Sequence, residues 1–259
     1  MKLEGKVALV TGGAGGMGGA QCRLFAAEGA AVCVADLSLD RAQAVADEIV
    51  AAGGKAIAVK LDVVAAADWA EAVAATEQAF GPISILSNVA GANFRVGFED
   101  QTEEQFLIII HSMLLGSFLG IKACAPSMRK AGGGVIVNMG SLASINPGGQ
   151  SPGYAVGKTG LIGLTKSAAL SLAKDKIRCV IVSPGHVDTP FIRGNNPHSP
   201  NDASTSIDNP ENYNRRLAAT PLGRFQVPDD IAKAVLFMVS DDAAMITGSM
   251  ITVDGGAAL

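Results

Sequence analysis

Short apolar runs recur along this chain, each followed by a longer stretch in which apolar residues return every three or four positions. Val7-Ala8-Leu9-Val10, Ala31-Val32-Cys33-Val34-Ala35 and Val135-Ile136-Val137 leave no polar face, so each reads as a strand covered on both sides. The same test predicts seven strands, at Val7–Val10, Ala31–Ala35, Ala56–Leu61, Ile83–Ser87, Gly134–Met139, Arg178–Ser183 and Ser249–Val253. The intervening segments predict helices near Gly16–Glu28, Ser38–Ala52, Ala66–Phe80, Glu103–Lys130, Pro152–Lys174 and Pro228–Ser240, several opening on Ser, Asp or Pro as helix starts do. Strands that alternate with helices form βαβ units. The expectation is one α/β domain over residues 1–259, a Rossmann-type, doubly wound parallel sheet with helices on both faces. Pro190 to Pro221 interrupts the rhythm, being rich in Asn, Pro, Ser and Asp and poor in apolar residues. Because it follows the carboxyl end of a strand, where open α/β sheets bind ligands, it is expected to be a substrate lid.

Composition narrows the function classes. The chain has 259 residues, 49% of them hydrophobic, and a formal net charge of -4. That fills a large core and supplies no basic stripe for phosphates, so no nucleic-acid partner is expected. The four cysteines lie far apart without a CxxC pair, which predicts neither a metal site nor a disulfide framework and fits reduced thiols in the cytoplasm. No export signal is read at the start. The most membrane-like stretch, Phe106 to Ile121, contains His111, Ser112 and Ser117 and falls short of the roughly 20 apolar residues of a span, so it is expected to be a buried helix without a membrane partner.

Between the first strand and the first helix lies Thr11-Gly-Gly-Ala-Gly-Gly-Met-Gly-Gly-Ala20. Glycines at such a turn let backbone N–H groups approach a pyrophosphate, which gains further from the positive end of the helix. Two registers fit: Gly13, Gly15 and Gly18, or Gly12, Gly16 and Gly18. Asp36 closes the second strand near the separation expected for the acid that bonds the adenosine ribose. Its carboxylate would repel a 2′-phosphate, and neither Leu37 nor Gly13-Ala14-Gly15 offers a cation to hold one, so NAD is expected over NADP.

Later in the chain, Tyr154 and Lys158 stand at i and i+4 of an expected helix, on one face, where an ammonium favours a phenolate. Ser141 follows the fifth strand, so its hydroxyl is expected at the same rim of the sheet.

Taken together, these motifs resemble the short-chain dehydrogenase/reductase family over essentially the whole chain. Thr11-Gly12 with Gly16-Met17-Gly18 is similar to its TGxxxGxG, Asp62-Val63 to its DV, and Asn88-Val89-Ala90-Gly91 to its NNAG. Ser141, Tyr154 and Lys158 resemble its catalytic set, Pro184-Gly185 with Val187 and Thr189 its nicotinamide-side segment, and Asp254-Gly255-Gly256 its closing DGG. The resemblance implies an NAD-dependent oxidoreductase that interconverts a secondary alcohol and a ketone. In it Tyr154 is the general acid/base, Lys158 lowers the Tyr pKa and holds the nicotinamide ribose, and Ser141 orients the substrate oxygen. NAD would lie on Gly12, Gly16, Met17, Gly18, Asp36, Leu37, Asp62, Val63, Asn88, Ala90, Gly91 and the Pro184–Thr189 segment, together with Tyr154 and Lys158. The resemblance also implies a homotetramer with the 103–130 helix in one interface.

Two departures stand out. Val89 replaces an asparagine, a mild change. Met113 stands where the family usually has the helix asparagine of its proton relay, and a thioether cannot replace an amide. A weakened relay is therefore expected, and a catalytically weakened NAD-binding scaffold or sensor is the alternative from another class. A further alternative is an acyl-chain ketoreductase of the same family, which Asp36 disfavours.

Overall fold

The computed structural model describes residues Met1–Leu259. Seven strands form one fully parallel sheet: β1 (Val7–Thr11), β2 (Ala31–Asp36), β3 (Lys55–Lys60), β4 (Ile85–Asn88), β5 (Gly134–Met139), β6 (Ile177–Pro184) and β7 (Met250–Val253). Their order is β3-β2-β1-β4-β5-β6-β7, so the winding reverses between β1 and β4 and leaves a crevice at their carboxyl ends.

Strand periodicity divides the core. In β1, Ala8 and Val10 face one layer while Val7 and Leu9 face the other, and β2 splits likewise, with Val32 and Val34 opposite Cys33 and Ala35. The first layer is closed by α1 (Gly16–Ala27), α2 (Leu39–Ala51) and α8 (Pro228–Val239), through Phe25, Val45 and Val235 among others. The second is closed by α3 (Ala66–Phe80), α5 (Gly116–Lys130) and α6 (Pro152–Leu172), around Trp69, Ile121 and Leu172. All four cysteines are buried and unpaired.

The strands and most helices fall where the hydrophobic pattern puts them, with ends displaced by a residue or two and β6 longer than expected. The 103–130 helix is long and apolar enough for a membrane, with mean hydropathy 1.8, and here it packs on the sheet. It is not one regular helix. A π turn over His111–Leu115 separates α4 (Glu103–Ile110) from α5, and Met113 sits at its centre. Pro190 to Pro221 is also more ordered than its composition suggests. It contains helix α7 (Pro210–Ala218), which starts where Asn209 accepts the Glu211 N–H at 2.9 Å.

Candidate active site

The glycine loop joins β1 to α1 at the carboxyl edge of the sheet. Gly12 has a φ of 62°, a left-handed turn that a side chain would strain. A Cβ at Gly18 would lie 2.1 Å from the Gly12 carbonyl oxygen, so α1 can seat on the loop only without one. Helix α1 has neither a side-chain cap nor an acidic residue in its first turn. The leading N–H groups, on Gly16, Met17 and Gly18, are therefore free for an anion, and this cradle fits a dinucleotide pyrophosphate. Gly12 and Gly18 are both positions that this turn needs free of a side chain.

Asp36 lies beside this loop. One carboxylate oxygen accepts the Ala14 N–H and the other the Ser38 N–H, each at 3.1 Å, which fixes the acid at the end of β2. Leu37 is exposed next to it. Arg41, which no sequence motif singles out, brings a guanidinium to the same rim and donates to the Ala14 carbonyl at 3.1 Å. Only the α2 geometry reveals that cation.

Asp62 and Val63 lie after β3. Asp62 accepts the Val64 N–H at 3.1 Å, and the Val63 carbonyl accepts the Trp69 indole N–H at 2.9 Å. The Asn88 amide is engaged within the fold: it donates to Asn138 at 2.9 Å, and Asn138 donates in turn to Thr165 at 2.9 Å. Ala90 and Val89 donate their N–H groups to the Thr11 hydroxyl at 3.1 and 3.0 Å, which ties the loop after β4 to the end of β1. Pro184 ends β6, and Gly185 and buried Val187 lead to Thr189, whose methyl group lies against Gly16.

Ser141, Tyr154 and Lys158 come together at the ends of β5 and α6. Ser141 is the cap of a short 3-10 turn, Leu142–Ser144, and its hydroxyl accepts the Ala143 N–H at 3.2 Å. Tyr154 lies in the first turn of α6, whose start is anchored from outside: Ser151 donates to the Phe94 carbonyl at 2.8 Å and Gly153 donates to Gln101 at 2.7 Å. Lys158 is buried one turn further on and donates to the Met139 carbonyl at 2.6 Å, with its ammonium 5.5 Å from the centre of the Tyr154 ring. Burial lowers its pKa to about 7, because a low-dielectric site disfavours charge. Burial raises the Tyr154 phenol, and the Ser141 hydroxyl followed by the Arg95 charge draws it back toward phenolate.

Arg95 is the second residue that motif reading misses. It follows β4, and its guanidinium donates to Ser199 at 2.6 Å and to the Phe191 carbonyl at 3.0 Å. Met113, fully buried in the π turn, packs its side chain against Gly91 and Gly157. Its carbonyl accepts the Ser117 hydroxyl at 2.6 Å.

A dinucleotide cradle at a sheet switch point, with a Ser, a Tyr and a Lys converging beside it, defines an oxidoreductase of the doubly wound class. A family model described as Enoyl-(Acyl carrier protein) reductase matches residues 12–258. The chain belongs to the short-chain dehydrogenase/reductase family. It is 39% identical to 2,5-dichloro-2,5-cyclohexadiene-1,4-diol dehydrogenase LinX of Sphingobium indicum, over 98% of this chain and 97% of that protein. It is 36% identical to trans-4-hydroxycyclohexanecarboxylate dehydrogenase of Sinomonas cyclohexanicum, over 98% and 93%. Identity is also 36% to a cyclohexanol dehydrogenase of an Acinetobacter species, over 98% and 95%.

Proposed function

We propose that this protein is an NAD-dependent dehydrogenase or carbonyl reductase that interconverts a secondary alcohol on a six-membered carbocycle and the corresponding ketone. The observation that carries this reading is the convergence of Ser141, Tyr154 and Lys158 at the sheet edge that also holds the Gly12–Gly18 cradle. The ring preference comes from the relatives, three of which are named for alcohols on such rings.

When bound, the nicotinamide supplies the two-electron acceptor or donor. Asp36 would hold the adenosine ribose and disfavour a 2′-phosphate, which favours NAD, and Asp62, Val63, Leu37, Asn88, Ala90 and Gly91 would hold the rest of the cofactor. Tyr154 takes the proton from the substrate hydroxyl during oxidation and returns it during reduction. An ordinary Tyr titrates near about 10, so a proton-accepting phenolate at neutral pH needs the help of neighbours. Ser141 holds the substrate oxygen as its charge changes. Lys158, fixed by the Met139 carbonyl, stands behind the phenol and is the next proton carrier. The Pro190–Pro221 segment serves as the lid. Exposed Leu107, Ile108, Leu115 and Phe118 on the 103–130 helix suit burial between subunits of a homotetramer.

A second reading, an NAD-binding sensor with an impaired proton relay, draws on Met113, whose carbonyl is already held by Ser117. A panel of cyclic secondary alcohols followed by NADH absorbance tests both. Oxidation is expected, with Tyr154→Phe slowing it by about 10²–10⁴-fold while NAD still binds. No turnover of any alcohol by the unaltered protein sinks the dehydrogenase reading.

A further inference from the structure

Arg95 and Arg216 are partly buried arginines without a carboxylate partner, as is Arg178, whose guanidinium donates to the Ile246 and Ser240 carbonyls at 3.1 Å. The seven ion pairs draw their cations from Lys2, Arg23, Arg129, Lys130, Arg193 and Arg224, and neither Arg95 nor Arg216 takes part. A desolvated cation without a carboxylate is costly, and such sites persist where a ligand supplies the missing charge.

The surroundings tie the Arg95 segment to the helix that carries Tyr154. The backbone around Arg95 is tied to the start of α6: the Phe94 carbonyl accepts the Ser151 hydroxyl and the Val96 carbonyl accepts the Ser151 N–H, both at 2.8 Å. Tyr154 N–H donates to the Ser151 carbonyl at 3.0 Å, so Arg95 and Tyr154 are held from the same residue. Arg95 then crosses to the lid, over the Phe191 ring at 5.2 Å and onto the Phe191 carbonyl.

Arg216 belongs to the lid segment itself. It projects from α7 and donates to the Thr205 carbonyl at 2.9 Å. Phe191 and Thr205 belong to lid segments joined to each other: Ile207 N–H donates to the Ile192 carbonyl at 3.1 Å, and Ser206 donates to the Arg193 carbonyl at 2.6 Å. The two guanidiniums therefore bond to joined lid segments, and the Arg216 charge bears on Arg95 while Arg216 itself feels Arg215. Burial and Arg216 lower the pKa of Arg95 to about 10, while its charge acts on Tyr154.

The aspartates in and beside the lid are committed elsewhere, and the remaining acid of the segment, Glu211, is exposed in the first turn of α7. Asp188 and Asp208 hold Arg193, and Asp202 accepts the N–H groups of Ser204 and Thr205. His186 is held neutral at physiological pH, its pKa lowered to about 4 by burial and by Arg216, so it adds no charge. Apart from its bonds to Ser199 and Phe191, Arg95 has N–H groups left to give.

We propose that the substrate is an anionic alcohol, bearing a carboxylate remote from the carbinol carbon, and that Arg95 and Arg216 are the residues that bind that carboxylate under the lid. Planar guanidiniums suit bidentate recognition of a carboxylate. The reacting group itself rests on the dehydrogenase reading above. The paired arginines stand independently of it.

The test compares 4-hydroxycyclohexanecarboxylate with its primary amide and with cyclohexanol, measuring kcat/KM for each in the unaltered enzyme with NAD. The carboxylate is expected to exceed the amide by about tenfold or more. In Arg95→Gln and Arg216→Gln that ratio is expected to fall toward one, with Arg95→Lys retaining part of it. Because both rates are read in the same variant, the ratio isolates the anion from any general loss. Calorimetric titration of the carboxylate onto the protein with NADH gives a second readout that does not depend on turnover. If cyclohexanol and the amide are oxidised at least as efficiently as the carboxylate, the anion site is overturned and the dehydrogenase stands. If no alcohol reacts yet the carboxylate binds and the glutamine variants abolish binding, the dehydrogenase falls and the anion site stands. A ratio unchanged in both variants overturns it as well, and that outcome needs no comparison with other proteins.

Discussion

Gly12 to Gly18 and Pro190 to Pro221 meet at Thr189, whose methyl group lies against Gly16, yet they are held by different means. The first is a short turn between two buried elements. It exposes backbone N–H groups of Gly16, Met17 and Gly18, and its shape is set by close backbone packing, with Asp36 bonding Ala14 and Ser38 from the side. The second is a long excursion held by side chains. Arg193 bridges Asp188 and Asp208, Asn201 donates to the Phe191 and Gly194 carbonyls, and Asn212 donates to those of Ala203 and Ser206. Every residue of a backbone site offers the same donor, so such a site recognises one chemistry and tolerates few substitutions. A side-chain site can exchange its ligand through one or two residues while the sheet beneath stays unchanged.

The sharpest way to break this contrast is at the glycines. Gly18→Ala forces a Cβ to within 2.1 Å of the Gly12 oxygen, and no flexible side chain is there to yield. It is expected to cost about 1–3 kcal/mol of stability and to weaken NAD binding by more than about tenfold, read by calorimetry and by thermal unfolding. Wild-type affinity in this variant would show that the loop is not a backbone cradle.

The next largest effect concerns the one side chain of the first region. NAD is expected to exceed NADP in kcat/KM by at least about tenfold, roughly 1.4 kcal/mol. Asp36→Ala should narrow that gap, because Arg41 then has no neighbouring carboxylate to counter its attraction for a 2′-phosphate. The double change Asp36→Ala with Arg41→Ala should leave the protein indifferent to the phosphate. Equal use of both cofactors by the unaltered protein refutes the assignment.

A smaller effect belongs to pH. The unfolded Lys158 ammonium titrates near its usual value, while burial lowers the folded group to about 7. Between these values the unfolded chain binds more protons, so this residue makes stability rise with pH above about 7. The four buried thiols act oppositely. Burial raises each of them, so they hold protons that the unfolded chain releases, and stability falls once pH passes their ordinary value of 9.0. The stability of the cofactor-free protein should therefore climb from pH 7 toward 9 and then decline. Lys158→Met should flatten the climb and leave the decline, as chemical denaturation across that range would reveal. A climb of equal slope in the variant would assign it elsewhere.

The smallest change is expected at Met113. Its side chain fills space against Gly91 and Gly157, and its carbonyl is occupied by Ser117. Met113→Asn is expected to raise turnover less than about threefold with NAD affinity nearly unchanged, while losing some stability to imperfect packing. A large gain would mean that the relay limits the native enzyme.

Much of the first region is legible in the residues alone. The two-faced apolar runs specify the parallel sheet, and glycines and an acid at a strand end specify a backbone cradle, because those signals are local: a few neighbouring residues carry the whole constraint. Ser141, Tyr154 and Lys158 are legible as a set because strand end and helix turn bring them to one rim. Tertiary structure alone decided the rest. The π turn at His111–Leu115, the reach of Arg41 to Ala14 and the commitment of Asn88 to Asn138 each depend on partners distant in the chain. The same holds for Arg95 and Arg216. Nothing beside either residue in the chain marks it, and only the path of the lid puts both guanidiniums on joined carbonyl segments, with neither in an ion pair.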